Sequence, residues 1–279
     1  MRQNKRSKFL IYTIHFVLAL IILLPLAFAL FSSFRSLEDI FKYMSPISWR
    51  TFFPTEFTLE AYVNLFTERG FGRIFFNTFF VAVANVVFGL IVGSMAAFAF
   101  ATFNFRGKTI LFLLVLLTFM IPFEIIAIPL YSLVNNLGWI DSYEALIIPG
   151  IANGLVIFLY RQFFLDLPKS LLEAARIDGA SWFRVYWSIV MPICKPVTVS
   201  AGLLLFIQQW ESFMWPLIAT RSEKYKVIQV ALSDFVTEFM TYWNEMFAAA
   251  IISVIIPVII LLPLQRYFVK GIANTGSKE

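Results

Sequence analysis

The sequence predicts an all-α, polytopic membrane protein with six transmembrane helices. Three observations predict it. Hydrophobic residues make up 60% of the 279 positions and charged residues only 14%, against about 25% charged in soluble domains. The mean hydropathy is +0.81. The apolar residues gather in six stretches, each near the ~20 residues a helix needs to cross hydrocarbon. Soluble globular, disordered and collagen-like chains are excluded. The single Cys194 excludes an internal disulfide and a multi-cysteine metal site, and the single His15 excludes a histidine zinc site and a Ser-His-Asp triad.

The first span reads as 9–31, after a basic start. Its Ala27-Phe28-Ala29 triplet is shaped like a leader cleavage site. The apolar run is longer than the usual stretch of about 7–15 residues, and large Leu and Phe residues surround the triplet, so the span reads as retained. The long segment 32–73 follows. Within it, 57–66 has the amphipathic pattern of a short helix capped by Thr58. The other spans read as 74–100, 109–134, 143–164, 198–220 and 247–268. None alternates like a barrel strand, and lipid leaves backbone groups no partner outside the segment, so helices are required. Small residues at four-residue steps, Gly89, Gly93, Ala97 and Ala101 in span two and Gly150 and Gly154 in span four, predict close helix packing, first within the chain and otherwise against a partner chain.

Charge sets the orientation. With the N-terminus inside, 14 of the 22 Lys and Arg residues fall on inner segments, and the short outer loop 135–142 has none. Both termini are therefore expected in the cytoplasm. The organisation is an N-terminal segment 1–8, a first span 9–31, an outer loop 32–73, a core 74–270 containing the inner loop 165–197, and a tail 271–279.

The inner loop 165–197 is basic, yet studded with Leu, Trp and Phe, which a plain connector would not need. Its residues predict a helix–turn–helix. Pro168 suits a helix start, and Ser170 and Glu173 have capping-box spacing. Gly179 can supply a left-handed stop. Ser181 can cap a second helix, which Pro192 ends. Two such helices at the membrane surface make a docking platform.

These residues also carry a resemblance. Glu173-Ala174-Ala175, then Gly179 after three residues, then Ile189 and Pro192, resemble the EAA loop of ATP-binding-cassette importer permeases, and Asp178-Gly179-Ala180 resembles its sugar branch. Met191 stands where that family usually has Leu. Three further segments resemble the maltose-type second permease. They are Ile121-Pro122-Phe123-Glu124 with Ile128-Pro129-Leu130-Tyr131, the run from Trp210-Glu211 through Pro216, and Leu264-Gln265-Arg266-Tyr267-Phe268-Val269-Lys270-Gly271. The resemblance implies a carbohydrate importer in the plasma membrane of a prokaryote. Its partners would be a second, homologous permease, two ATP-binding subunits, an extracytoplasmic solute-binding protein, an oligosaccharide cargo and membrane lipid, with no nucleic acid. It implies that Glu173, Ala174, Ala175, Asp178, Gly179 and Pro192 couple the chain to an ATPase subunit, and that the tail and the outer loop 221–246 reach partners.

No covalent chemistry, no metal and no cofactor is expected on this chain; ATP and Mg would sit on the partner ATPases. Gly107-Lys108-Thr109 ends like a phosphate-binding loop, but Thr102 stands where that motif needs a Gly. Glu124 and Glu211 lie deep in spans three and five, where an acid costs about 2.5–3.5 kcal/mol. At 1.5 Å per residue they sit roughly 20 Å from the inner ends. They read as a translocation-path pair, with the Trp210 ring beside them, that favours neutral, hydroxyl-rich cargo. The competing reading has each carboxyl bonding backbone freed by Pro122, Pro129 or Pro216. Trp139 and Trp215 read as interfacial anchors. Three rival functions remain: the same machine carrying glycerol phosphate, a polyol or another solute; an ion-gradient secondary transporter; and a non-transporting scaffold.

Overall fold

The computed structural model describes residues 5–236 and 241–276, with side chains over 8–236 and 241–264. In chain order the helices are α1 (Lys5–Ser32), α2 (Leu37–Lys42), α3 (Trp49–Phe52), α4 (Glu60–Thr67), α5 (Phe71–Thr102), α6 (Lys108–Met120), α7 (Phe123–Asn136), α8 (Tyr143–Ile151), α9 (Gly154–Leu165), α10 (Lys169–Ile177), α11 (Trp182–Ile193), α12 (Lys195–Trp210), α13 (Met214–Ala219), α14 (Ile228–Ser233) and α15 (Trp243–Gly276). One isolated bridge, Val236 to Thr241, is the sole extended pairing among the described residues. The chain divides into two compact units, Met1–Gly72 with Ala231–Ile256, and Arg73–Val230 with Pro257–Glu279. Glu238 and residues 277–279 lie outside the described residues, as do the side chains of the C-terminal signature from Gln265 onward.

Among the described residues, four helices are long and apolar enough to cross a membrane unaided, over Lys8–Ser32, Phe71–Thr102, Tyr143–Leu165 and Trp243–Leu264. Counting each of two bent pairs, Lys108–Met120 with Phe123–Asn136 and Trp182–Ile193 with Lys195–Trp210, as one span brings the number to six. Span three, expected as one helix over 109–134, turns through 104° between α6 and α7. Pro122 is the cause. It has no N–H to continue the ladder, and it drives Ile121 into extended backbone at φ −77°, ψ 123°. Span five begins at Lys195, three residues before the expected 198, and its helix stops at Trp210. A break at 211–213 separates it from α13.

In the first unit, the outer segment is knotted around a buried arginine. The Arg35 Nε donates to Asp39 at 2.5 Å, and its two terminal nitrogens donate to the carbonyls of Thr51 and Asp39. Burial raises the Asp39 carboxyl, but bonds from Thr55 and Arg35 and the Arg35 charge outweigh it and hold the group below its usual range. The expected amphipathic helix forms as α4, starting at Glu60. Thr58 accepts the Glu60 N–H, and Ala61 and Leu65 make the buried face. Arg69 pairs with Glu245 at 2.9 Å and lies over the rings of Tyr242 and Phe235. Phe235 and Tyr242 of the outer loop are thus held by their own chain.

In the second unit the small-residue stripes pack internally, as expected. A Cβ on Gly89 would meet Leu205 at 2.9 Å, and one on Gly93 would meet Val156 at 2.7 Å. A Cβ on Gly154 would meet the Thr118 hydroxyl at 2.4 Å and the Val115 carbonyl at 2.8 Å. Asn77 and Thr78 of α5 clamp the segment before α14: Asn77 donates to the Lys224 and Lys226 carbonyls, and the Thr78 hydroxyl accepts the Ile228 N–H. Asp141, at φ 62°, accepts from the N–H groups of Arg221 and Ser222 and from the Ser222 hydroxyl. Burial raises that carboxyl, and these donors and the Arg221 charge bring it net below its usual range. Trp215, expected as an interfacial anchor, is instead buried, donates its indole N–H to the Ala145 carbonyl and meets Phe123 edge-on. The ring belongs to a short helix that starts at Met214, after the break.

Candidate functional site

The sequence-predicted residues of the second unit fall on one helix pair and on separate helix breaks. The first place is the helix pair α10–α11. Pro168 stands immediately before α10 as expected. The capping box does not form: the helix starts at Lys169, so Ser170 lies inside it and no side chain caps the start. Glu173 is left exposed and without a hydrogen bond or ion pair among the described residues.

The turn between the helices is tightly specified. Gly179 takes φ +79°. Its N–H donates to the Arg176 carbonyl, and the Ala180 N–H donates to the Ala175 carbonyl. This is the double bond pattern of a Schellman stop. Arg176 closes it from the side, donating to the Ala180 carbonyl at 2.5 Å and lying 4.9 Å from the centre of the Trp182 ring. Ser181 caps α11 by accepting the Arg184 N–H. Within α11 the ladder widens to a π-turn at Tyr186–Val190. Pro192 accounts for that, since it cannot donate to Ser188 and its ring crowds that carbonyl. The helix ends at Ile193, one residue past Pro192, and the chain turns 82° into α12.

One face of the pair is welded to the spans. Ala175, Val185, Tyr186, Val190 and Cys194 are buried in one cluster with Ala97 and Phe98 of α5, Tyr160 and Phe164 of α9, and Ala201 and Leu205 of α12. Each fully buried side chain of Val size or larger contributes about 1.5–3 kcal/mol. The Tyr186 hydroxyl meets the Ser94 hydroxyl at 2.7 Å, and Trp182 packs edge-on against Phe103 at 5.1 Å. The other face is open. Glu173, Ala174, Asp178, Gly179 and Pro192 lie on it, together with Ile177 at 86% and Phe183 at 67% exposure. Of the six coupling residues read from the sequence, Ala175 alone points into the chain's own core. Ser94, Tyr186 and Trp182 were not singled out in the sequence. A lone Ser in span two at the stripe of small residues was the available signal.

The second place is a set of helix breaks. Glu124 lies in the first turn of α7, just past the 104° turn, and Glu211 lies at the end of α12. Both are exposed in the chain. Neither carboxyl makes a hydrogen bond or ion pair among the described residues, so the backbone bonds of the competing reading, at Pro122, Pro129 or Pro216, are not formed there. Trp210 is not presented beside them. It is 3% exposed, stacked on Phe206 at 5.4 Å and edge-on to Phe75 at 6.1 Å. Its ring braces the end of α12 from inside. A third break, at Ala152 and Asn153 between α8 and α9, lies beside this set, and the sequence reading missed it.

The sequence and the fold both have relatives among known proteins. The family model for the binding-protein-dependent transport system inner membrane component matches residues 89–274. The arabinooligosaccharides transport system permease protein AraQ of Halalkalibacterium halodurans is 32% identical over 94% of this chain and 93% of its own length. The sn-glycerol-3-phosphate transport system permease protein UgpE of Rhizobium meliloti is 33% identical over 92% of both. A chain in the crystal structure of a bacterial ABC transporter that imports the acidic polysaccharide alginate superposes with a TM-score of 0.80 at 26% identity, covering 96% of this chain and 100% of that one.

Proposed function

The chain belongs to the family of binding-protein-dependent transport system inner membrane components, and from that premise we propose that it is the permease through which an ATP-binding-cassette importer moves a neutral oligosaccharide. The chain supplies no covalent chemistry. It works beside a second, homologous permease, receives cargo from a solute-binding protein, and takes its drive from two ATPase subunits that hold ATP and Mg. Both termini and the α10–α11 pair face the cytoplasm in this reading, which the distribution of Lys and Arg supports.

The observation that carries the reading is the two-faced helix pair. A water-facing turn that exposes Ile177 and Phe183 between Glu173, Asp178 and Arg184 is an unpartnered contact surface. Its opposite face is continuous with spans two, four and five. Movement imposed on the open face by an ATPase subunit therefore reaches the spans directly, and the chain alternates between inward- and outward-open states. A Glu173→Lys variant inserts and assembles but loses ATP-driven uptake in proteoliposomes; full uptake there would refute the coupling role.

Cargo class rests on the breaks. Two unpaired carboxylates accept sugar hydroxyls well and repel anions. The relatives supply a second reading. UgpE is named for glycerol 3-phosphate, and the alginate transporter carries an acidic polymer. Competition of oligosaccharide uptake by glycerol 3-phosphate separates the two, since only an anion-accepting path is inhibited.

A further inference from the structure

The break at Ala152 and Asn153 holds a polar contact that nothing above assigns. Asn153 Oδ1 accepts the Val156 N–H at 3.2 Å and so caps α9. Its Nδ2 donates to Gln208 Oε1 of α12 at 3.0 Å, and the pair is exposed. Asn153 stands midway along the apolar stretch Tyr143–Leu165. Gln208 stands 13 residues, roughly 20 Å, into α12 from Lys195. Glu211 follows Gln208 by one helical turn and therefore shares its face. Three polar side chains thus form a row at mid-span, on the outside of the chain.

That placement has a cost. The Gln208 amide nitrogen has no acceptor among the described residues, and an unsatisfied polar group in hydrocarbon costs on the order of several kcal/mol. An unpaired carboxylate beside it costs more. The row calls for a polar surrounding, which a wetted path with polar cargo supplies. Its chemistry is also specific. The amides offer donors and acceptors, and Glu211 offers acceptors. Arg161 of α9 stands eight residues, about 12 Å, away from Asn153, with its guanidinium occupied over the Phe112 ring at 4.0 Å.

We propose that Asn153, Gln208 and Glu211 form a hydroxyl-recognition ledge for an uncharged, polyhydroxylated cargo. The Asn153–Gln208 bond holds the two amides in register while the ledge is empty and yields to sugar hydroxyls as they pass. The proposal rests on the path reading of Glu211 and adds to it two residues and a donor function that the carboxylates lack.

The test uses the assembled complex in proteoliposomes, in a Cys194→Ala background, since Cys194 is the only cysteine. Gln208→Cys, Glu211→Cys and the lipid-facing reference Leu20→Cys are treated with a small quaternary-ammonium methanethiosulfonate. Labelling at 208 and 211, at least about tenfold faster than at 20, is expected. Labelling at 211 without 208 overturns the ledge and leaves the path reading standing. Labelling at neither overturns both. A second measurement addresses recognition. Gln208→Met keeps the length and removes the amide. With a neutral oligosaccharide first shown to saturate the cognate binding protein, it should raise the half-saturating concentration for uptake about fivefold, at unchanged assembly. Labelling at 208 with no such shift makes the residue a wetted wall and overturns recognition.

Discussion

Gly179 offers the sharpest test of how the helix pair couples. Its φ of +79° lies in the left-handed region, and a Cβ there would meet nothing within 4 Å. The cost of a substitution is therefore backbone strain alone, with no clash inside the chain. For an L-residue that strain is about 1–2 kcal/mol, less for Asn and more for a β-branched side chain. The Schellman bonds from Gly179 and Ala180 depend on that conformation, so the turn and the exposed Ile177 move when it relaxes. If the ATPase subunit recognises the native turn, its affinity falls by the same energy, roughly 5- to 30-fold. The series Gly179→Asn, Gly179→Ala and Gly179→Val should weaken ATPase binding in that order, measured by titrating the ATPase subunits onto the purified permease pair. Uptake should fall in parallel, and Gly179→Val should abolish it. The core cluster is untouched, so thermal unfolding should change little. Equal ATPase affinity across all three variants would refute the reasoning, because it would mean that the turn is not read.

Glu124→Gln and Glu211→Gln keep shape and remove charge; each should lower oligosaccharide uptake modestly with complex assembly unchanged, and wild-type uptake in both would take the carboxylates out of the cargo path. Arg69→Met leaves the Glu245 carboxyl, 7% exposed, without its cation; with Arg69 itself 38% exposed the loss is discounted to about 2–3 kcal/mol, read as a lower unfolding midpoint that the added Glu245→Gln partly restores. Asp141 is held below its unfolded value, about 3.9, so its stabilising contribution is full above pH 4 and is lost as pH falls through the folded value. Asp141→Asn should therefore be less stable than wild type at pH 7, and the gap should close on acidification; a gap constant from pH 7 to pH 3 would count against the assignment.

The sequence announced its spans because hydropathy is a sum over about twenty residues and survives local irregularity. It did not announce where the spans break, because a break is a local event. Pro122 and Pro129 both stand in span three, yet the turn occurs at Pro122 and α7 runs through Pro129. A proline tells that a bond is missing, and the turn forms where the residue before it also leaves the helical region, as Ile121 does. The helix–turn–helix of the inner loop was legible for the opposite reason. Gly179 and Ser181 act within their own turn, through backbone conformation and a cap, so local chemistry suffices. Ser170 and Glu173 had capping spacing as well, but Pro168 set the helix start two residues too early for them. Trp210 and Trp215 show the limit most plainly. Adjacent to a carboxylate and near a span end, each had a functional or interfacial reading, and each is buried: Trp210 meets Phe75, and Trp215 reaches the Ala145 carbonyl and Phe123, partners far off in sequence that a local reading does not supply.

The breaks and the helix pair are parts of one device. α12 starts at Lys195, directly below the buried Cys194 and the π-turn of α11, and ends at the Glu211 break. Its lower half is fixed to α9 through the Tyr160 and Thr198 hydroxyls at 2.9 Å, and its upper half meets the break between α8 and α9 through Asn153 and Gln208. The same two helices therefore carry the coupling cluster at one end and the polar row at the other. The Ser94–Tyr186 bond adds α5 at the coupling end. A packed core does not deform continuously; it shifts between discrete arrangements. Rotation of the helix pair against α5 must then be absorbed where the ladder is already interrupted, at the breaks beside Glu124, Asn153 and Glu211. On the proposed reading, the interrupted points of the spans then lie beside Asn153, Gln208 and Glu211, so that opening the coupling surface and re-presenting the cargo ledge would be one motion.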